Sequence, residues 1–138
     1  MKFFYLFLVG AVLTSCNITG KIKSTGIKSL SFGTGGGFTN EIKSYTLLPD
    51  GALWLHNSLS KDSTLIKKVS KSKVNNFYSE ALDLGLDTLH YSKPGNTYYF
   101  ITINRKGVSN KTEWSAGQTG LPDGVLLFYN NLREISKK

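Results

Sequence analysis

Few residues in this chain have side chains that could carry out chemistry. The chain has one cysteine, Cys16, and two histidines, His56 and His90. A zinc site needs a cluster of His, Cys or carboxylate ligands, and this chain offers only the two histidines and, as argued below, no free thiol. The sequence therefore predicts no metal site and no cofactor.

A serine nucleophile needs an activating base nearby, in a signature such as Gly-x-Ser-x-Gly or Ser-x-x-Lys with its companion motifs. Ser70 and Lys73 match the second pattern formally, but the companion motifs are missing. Serine is favoured at helix N-termini because its hydroxyl accepts a backbone hydrogen bond. We interpret Ser70 as a helix cap and predict no catalytic residues and no enzyme.

Cys16 is explained by the residues before it. An apolar run over residues 3–13 follows Lys2 and ends in Leu-Thr-Ser-Cys at residues 13–16. At about 1.5 Å of rise per residue, a helix of this length is too short to cross a hydrocarbon core about 30 Å thick. The run is instead typical of an export signal.

Residues 13–16 resemble the bacterial lipobox, in which diacylglycerol is attached to the cysteine thiol before the chain is cleaved on its N-terminal side. The resemblance implies a signal peptide at residues 1–15 and a lipidated Cys16. Two alternatives stay open: an ordinary secretory signal with an incidental cysteine, and a short buried N-terminal helix. Neither explains why the only thiol lies at the cleavage position.

The same resemblance predicts where the protein is located. In bacterial lipoproteins an aspartate after the cysteine retains some proteins in the inner membrane, whereas here that residue is Asn17. We expect a location in the bacterial cell envelope, with a lipid anchor in the outer membrane and the domain facing the periplasm. Two or more acyl chains hold a protein firmly, because each buried methylene contributes about 0.8 kcal/mol.

The chain is basic, with a formal net charge of +8 that becomes +7 when residues 1–15, which contain one lysine, are removed. Export excludes nucleic acid as a partner and leaves lipid head groups, lipopolysaccharide phosphates and cell-wall carboxylates as anions. Several lysines lie close together in the sequence and form either a solvated face or an anion-binding patch. These lysines are Lys61, Lys67, Lys68, Lys71 and Lys73.

A glycine-rich stretch over residues 31–39 contains Gly35, Gly36 and Gly37, followed by Phe38. It matches neither the P-loop nor the dinucleotide-binding fingerprint. Glycine adopts positive φ at little cost but weakens regular structure. We interpret the stretch as a segment that precedes or bends a strand, with a ligand-binding loop as the alternative.

Aromatic residues on predicted strands provide a second candidate binding surface. Along residues 97–103, strand alternation separates Tyr98 and Phe100 from the residues between them. One set should face the helices, and the other should face solvent or a partner. Tyr98 and Phe100 with either Trp54 or Trp114 would form a recognition patch. The alternative is that both tryptophans pack in the core or within a hairpin.

The residue pattern predicts strands in hairpins, each group followed by a helix. A Pro-Asp-Gly turn at residues 49–51 joins two strands, and the first helix begins after Ser70 and ends at Gly85. A strong strand over residues 97–103 and a partner strand follow, and the second helix begins at residues 121–123, with Asp123 as its cap. The economical packing places both helices on one face of a mostly antiparallel sheet of four to five strands, an α+β fold.

The predicted domain organisation follows from these segments. Residues 16–30, rich in Lys, Ser, Thr and Gly, are expected to be the lipidated cysteine and a flexible tether. Isoleucines at positions 18, 22 and 27 leave a partly ordered strand open as the alternative. Residues 31–138 are expected to form a single α+β domain, with a weaker strand at residues 63–69. Because lipidation uses the only thiol, no disulfide is available and the core alone must stabilise the domain.

The whole set of motifs is similar to small lipoproteins of unknown function from Bacteroidota. The resemblance rests on the lipobox, the Gly-Thr-Gly-Gly-Gly-Phe-Thr stretch from Gly33, the Pro-Asp-Gly hairpin, and Pro-Gly-Asn-Thr-Tyr-Tyr-Phe from Pro94. It covers most of residues 32–132 and carries over no functional residues. It implies an exported, membrane-anchored α+β module.

We therefore expect a membrane-anchored envelope lipoprotein that acts as a non-enzymatic protein-interaction module. Its contact with an envelope protein partner would use the sheet face or the glycine stretch. The alternative is a periplasmic ligand-binding or inhibitor protein, including an immunity-type lipoprotein that neutralises a toxin enzyme. An acidic partner would favour the inhibitor, because the domain is basic.

Overall fold

The computed structural model describes residues 24–137. The predicted signal peptide, Cys16 and the first part of the predicted tether lie outside these described residues. The described chain folds into one sheet and two helices, which confirms the α+β class. No helix among residues 24–137 is long and apolar enough to cross a membrane.

The described chain contains the elements β1 (Ile27–Gly36), β2 (Glu41–Leu47), β3 (Ala52–Asn57), β4 (Ser63–Lys68), α1 (Lys71–Asp83), β5 (Ser92–Lys93), β6 (Thr97–Arg105), β7 (Val108–Ser115) and α2 (Val125–Ser136). The sheet has seven strands in the described chain, in the order β4-β3-β2-β1-β6-β7-β5, rather than the four to five that we predicted. All neighbours pair antiparallel except β5 and β7, which are parallel.

Strand β1 lies at the centre of the sheet and corrects the predicted domain boundary. It begins at Ile27, although residues up to 30 were predicted to belong to the tether. Ile27 and Leu30 are buried in the core, so residues 27–30 are part of the sheet. The polar composition of this segment hid the strand, because a central strand gains hydrogen bonds on both of its edges whatever its exposed side chains are.

Both helices pack on one face of the sheet. Tyr78 of α1 donates a hydrogen bond to the Leu47 carbonyl oxygen, and Tyr129 of α2 donates one to the Gly33 carbonyl oxygen, each at 2.9 Å. Phe77 and Phe128 meet edge to face at 6.1 Å between the helices. The hydrophobic core lies between the sheet and the two helices. We call the side of the sheet that faces the helices the helix face.

The ends of α1 agree with the sequence prediction, and the start of α2 does not. The Ser70 hydroxyl accepts a hydrogen bond from the Lys73 backbone N–H at 3.3 Å, which confirms it as the cap. Gly85 at φ 69° follows α1 as predicted. For α2 the cap is Gly124 at φ 86°, with no side-chain hydrogen bond, so the prediction that Asp123 caps this helix is wrong.

The other side of the sheet has no helix on it within residues 24–137, and we call it the open face. Alternation predicted that Tyr98 and Phe100 lie on the opposite face from Ile101 and Ile103. Because Ile101 and Ile103 pack in the core, Tyr98 and Phe100 lie on the open face. Residues that are paired across neighbouring strands point to the same face, so the strand register identifies the open-face residues of the other strands. The main residues of the open face are Trp54, Thr46, Ser31, Gly33, Gly35, Tyr98, Phe100, Lys111 and Glu113.

Candidate functional site

The β1–β2 hairpin presents a large apolar side chain on a constrained backbone. Gly36 and Gly37 have φ values of 90° and 79°, and the Gly37 N–H donates to the Asn96 carbonyl oxygen at 2.7 Å. A Cβ at Gly36 would lie 2.0 Å from that same oxygen, so only glycine fits there. The turn that follows holds Phe38 fully exposed. We call residues 37–40 the hairpin tip.

Tyr98 lies on the open face, beside this tip. It is paired with Gly35 in the β1–β6 register, and a Cβ built on Gly35 would be 2.5 Å from the Tyr98 hydroxyl oxygen. The glycine therefore leaves the space that the tyrosine ring occupies. The ring centroids of Tyr98 and Phe100 are 6.3 Å apart, so the two form one aromatic pair.

A charged network borders this aromatic pair. The Lys111 Nζ lies 5.1 Å from the ring centroids of both Tyr98 and Phe100, within range of a cation–π interaction. The same Nζ is 2.6 Å from a Glu113 carboxylate oxygen, and the Ser92 hydroxyl donates to the other oxygen at 2.7 Å. The hydrogen bond from Lys111 lowers the pKa of Glu113 despite partial burial. The network holds the lysine over the rings.

The predicted recognition residues do not all meet. Phe100 is only 5% exposed, so it supports Tyr98 and offers little surface of its own. Trp54 is 37% exposed on the open face, but it lies three strand spacings across the sheet and four residues along it from Tyr98, a distance of about 20 Å. Trp114 is buried on the helix face. The structure therefore brings together Gly35, Gly36, Gly37, Phe38 and Tyr98 and leaves both tryptophans elsewhere.

Trp114 belongs to a second site that the sequence analysis did not anticipate. Its ring meets Tyr129 at 5.2 Å and Tyr99 at 6.1 Å, between ring centroids. These rings border a cavity of about 470 Å³ between β7, the loop over residues 116–124 and the start of α2. The sequence places Tyr129 in the apolar stripe of a helix, and nothing in that stripe shows that its ring reaches Trp114.

The lysines that are close in sequence are spread over three elements. Lys68 of β4 forms an ion pair with Asp50 at 3.0 Å, and the Lys67 Nζ donates to the Lys137 carbonyl oxygen. Lys71 and Lys73 are exposed on the first turn of α1. Two of these lysines therefore have contacts within the protein, and three of them, Lys67, Lys68 and Lys73, line one pocket together with Glu134.

The two histidines, which could act in catalysis or metal binding, both lie on the exposed surface. The His56 Nδ1 and the Ser63 hydroxyl are 3.2 Å apart on the exposed ends of β3 and β4, and His90 is exposed in the chain before β5. Across residues 24–137 no group of three His, Cys, Asp or Glu side chains is arranged to hold a metal ion.

Comparison with known proteins assigns neither a family nor a function to the chain. No model of a known protein family matches the chain, and no curated protein shows significant similarity to it.

Proposed function

We propose that this chain is a lipid-anchored lipoprotein of the bacterial cell envelope, attached through Cys16 to the outer membrane and facing the periplasm. We further propose that it is a non-enzymatic interaction module that binds an envelope protein. The contact surface is the hairpin tip with Phe38 and the adjoining ring of Tyr98. The lipobox pattern at residues 13–16 supports the anchor.

The observation that carries the proposed contact is the exposure of Phe38. A phenylalanine fully in water gives up the free energy of burial that most phenylalanines gain, about 2 kcal/mol. This one projects from a turn whose backbone is fixed to Asn96. A rigid aromatic side chain loses little conformational entropy on binding, and such residues are enriched among the anchors of protein interfaces.

The position of the tip relative to the anchor also supports the proposal. Ile27, where β1 begins, pairs with Arg105, and the Arg105 side chain donates to the Thr25 carbonyl oxygen at 2.7 Å. Gly36, at the other end of β1, pairs with Thr97 beside the hairpin tip. The strand spans about 30 Å between these ends. The tip therefore lies at the end of the sheet remote from the point where the tether would enter.

The inhibitor alternative uses the same contact with a different partner. An immunity-type lipoprotein would bind a toxin enzyme through its tip, and the net charge of +7 on residues 16–138 would favour an acidic one. The two roles are distinguished by the identity of the bound protein.

A pull-down from detergent-solubilised membranes after mild crosslinking tests the proposal. Tagged full-length protein should recover a stoichiometric envelope protein, identified by mass spectrometry. The Cys16→Ala variant should be absent from the membrane fraction. It should also recover less of that partner, because it is no longer anchored at the membrane surface where the partner lies. Recovery of a toxin enzyme instead would select the inhibitor role. Absence of any partner, with the protein still in membranes, would contradict a protein-interaction module.

The anchor itself is tested separately by growing cells with an alkyne-bearing fatty acid. The wild-type protein should take up the label and the Cys16→Ala variant should not. An unlabelled wild-type protein would contradict the lipoprotein assignment.

A further inference from the structure

Two segments of the chain have nearly the same sequence and different structures. Residues 48–53 read Leu-Pro-Asp-Gly-Ala-Leu, and residues 121–126 read Leu-Pro-Asp-Gly-Val-Leu. The first segment forms the turn between β2 and β3, whereas the second leads into α2. Because the local sequences match, a difference in reactivity between the two Asp-Gly pairs has to come from the fold.

We propose that the bond between Asp123 and Gly124 is a site of spontaneous modification, at which aspartate converts to isoaspartate, and that the fold protects Asp50 and Gly51 from the same reaction. The Gly124 backbone nitrogen attacks Cγ of the Asp123 carboxyl group. A C–N bond forms and closes a five-membered succinimide ring, and one carboxyl oxygen leaves as water with the carboxyl proton and the amide proton. Water then adds to the main-chain carbonyl of the ring and gives isoaspartate, or adds at Cγ and restores aspartate.

The turn at Asp123 leaves both reacting groups accessible. Asp123 and Gly124 are exposed, and glycine has no side chain that would shield its nitrogen. Within residues 24–137 the Asp123 carboxylate forms no ion pair, and the Gly124 N–H donates to no backbone oxygen. The hydrogen bond that closes this turn runs from the Val125 N–H to the Pro122 carbonyl oxygen at 3.3 Å and uses neither group.

The turn at Asp50 holds the equivalent groups in other contacts. Gly51 is buried, and its N–H donates to the Leu48 carbonyl oxygen at 2.9 Å. The Asp50 carboxylate accepts from the Ala52 N–H at 3.0 Å and forms an ion pair with Lys68 at 3.0 Å. The Ala52 N–H, and then Lys68, also lower the pKa of Asp50, which keeps it ionised. A carboxylate is a poorer target for a nucleophile than the neutral acid, so charge and geometry both protect this turn.

Isoaspartate at position 123 changes the start of α2. It routes the main chain through the side chain and adds one methylene to the backbone before Gly124. The Gly124 carbonyl oxygen accepts the first hydrogen bond of the helix, from the Phe128 N–H at 2.9 Å, and Val125 is fully buried. The longer backbone should therefore loosen this end of α2 and lower the denaturant concentration at which the protein unfolds.

Mass spectrometry of aged protein tests the proposal. Purified full-length protein in detergent micelles is incubated in mildly acidic buffer, and a parallel sample is unfolded in guanidinium chloride. Trypsin separates the two sites, because Asp50 lies in the peptide 44–61 and Asp123 in the peptide 112–133. Electron-transfer fragmentation distinguishes isoaspartate from aspartate, and a sample taken before incubation gives the background from digestion.

In the folded protein, isoaspartate should accumulate roughly tenfold or more faster at Asp123 than at Asp50, because reaction at Asp50 first has to break two hydrogen bonds. In the unfolded sample the two rates should be similar. Asp123→Glu, a change at an exposed residue, should abolish the product at this position, since a six-membered ring closes far more slowly. Equal accumulation at both sites in the folded protein, more at Asp50, or none at Asp123 would each overturn the proposal.

Discussion

The ring of Tyr98 occupies the space that a side chain on Gly35 would fill. A Cβ at Gly35 would lie 2.5 Å from both Cζ and the hydroxyl oxygen of Tyr98. This relationship places an aromatic ring flat on the open face, next to the hairpin tip with Phe38. It links the glycine-rich stretch to the aromatic strand β6, two features that the sequence shows as separate motifs.

Alanine substitutions at neighbouring glycines should have different effects. Gly35→Ala should displace the Tyr98 ring, which is half-buried and free to turn outward, at a cost of about 1 kcal/mol or less in unfolding free energy. Gly36→Ala should cost about 3 kcal/mol, because its φ is 90° and its Cβ would meet the Asn96 backbone. Denaturant midpoints measure both. Equal losses would contradict this account of the tip.

The buried hydroxyl of Tyr129 should contribute to stability at neutral pH. Tyr129→Phe leaves the Gly33 carbonyl oxygen without its partner at 2.9 Å, and we expect a loss of about 1–2 kcal/mol. Chemical denaturation at pH 7 measures this loss. An unchanged free energy of unfolding would mean that water replaces the tyrosine.

The same residue predicts how stability changes at alkaline pH. Burial raises the pKa of Tyr129 from 10.0 to about 12 in the folded protein. The unfolded chain therefore releases this proton first, and the stability from Tyr129 is present below about pH 10 and is lost as the pH rises through 12. The stability difference between wild type and Tyr129→Phe should shrink over this range. A difference that grows would contradict the burial of the hydroxyl.

Much of the fold was predictable because its signals are local. Ser70 is a cap because its hydroxyl needs only the backbone three residues ahead, and the Pro-Asp-Gly turn closes through Asp50, which accepts a hydrogen bond from the Ala52 N–H at 3.0 Å. Alternation in β6 correctly separated Tyr98 and Phe100 from Tyr99, Ile101 and Ile103, although it did not say which set faces the helices. These features depend on spacing within one element or one turn.

The features that were missed depend on distant parts of the chain. β5 has only two residues, Ser92 and Lys93, which are too few to show the alternation of a strand. It is a strand only because it pairs with β7. The central strand β1 is defined by its two neighbours. The aromatic cavity needs Tyr99, Trp114 and Tyr129 from three elements, and no spacing along the sequence indicates that they meet.

Asn110 is a buried polar residue that should be costly to replace. Its side-chain amide donates to the Leu86 and Leu89 carbonyl oxygens at 2.8 and 2.9 Å, tying the chain after α1 to β7. Asn110→Ala should destabilise the protein by about 2–3 kcal/mol, because one buried and one partly buried carbonyl lose their donor. Thermal unfolding measures the loss, with the exposed Asn131→Ala as a control that should change little.

Asp50 predicts a dependence of stability on acid pH. The backbone N–H of Ala52, and then the Lys68 ammonium, lower the pKa of Asp50 below 3.8 in the folded protein. The stabilisation is present above the unfolded pKa and is lost as the pH falls through the folded pKa. Wild type should exceed Asp50→Asn in stability near neutral pH, and the difference should vanish on acidification. A constant difference would contradict these contacts.

The central claim is that Phe38 contacts an envelope protein, and photocrosslinking from this position tests it most directly. A photoreactive phenylalanine analogue is placed at residue 38 of the full-length protein in living cells. The matched control places it at Leu59, another exposed apolar residue in a turn between strands. We predict one discrete crosslinked protein from position 38 and none from position 59. No crosslink from position 38, or the same products from both, would contradict the claim.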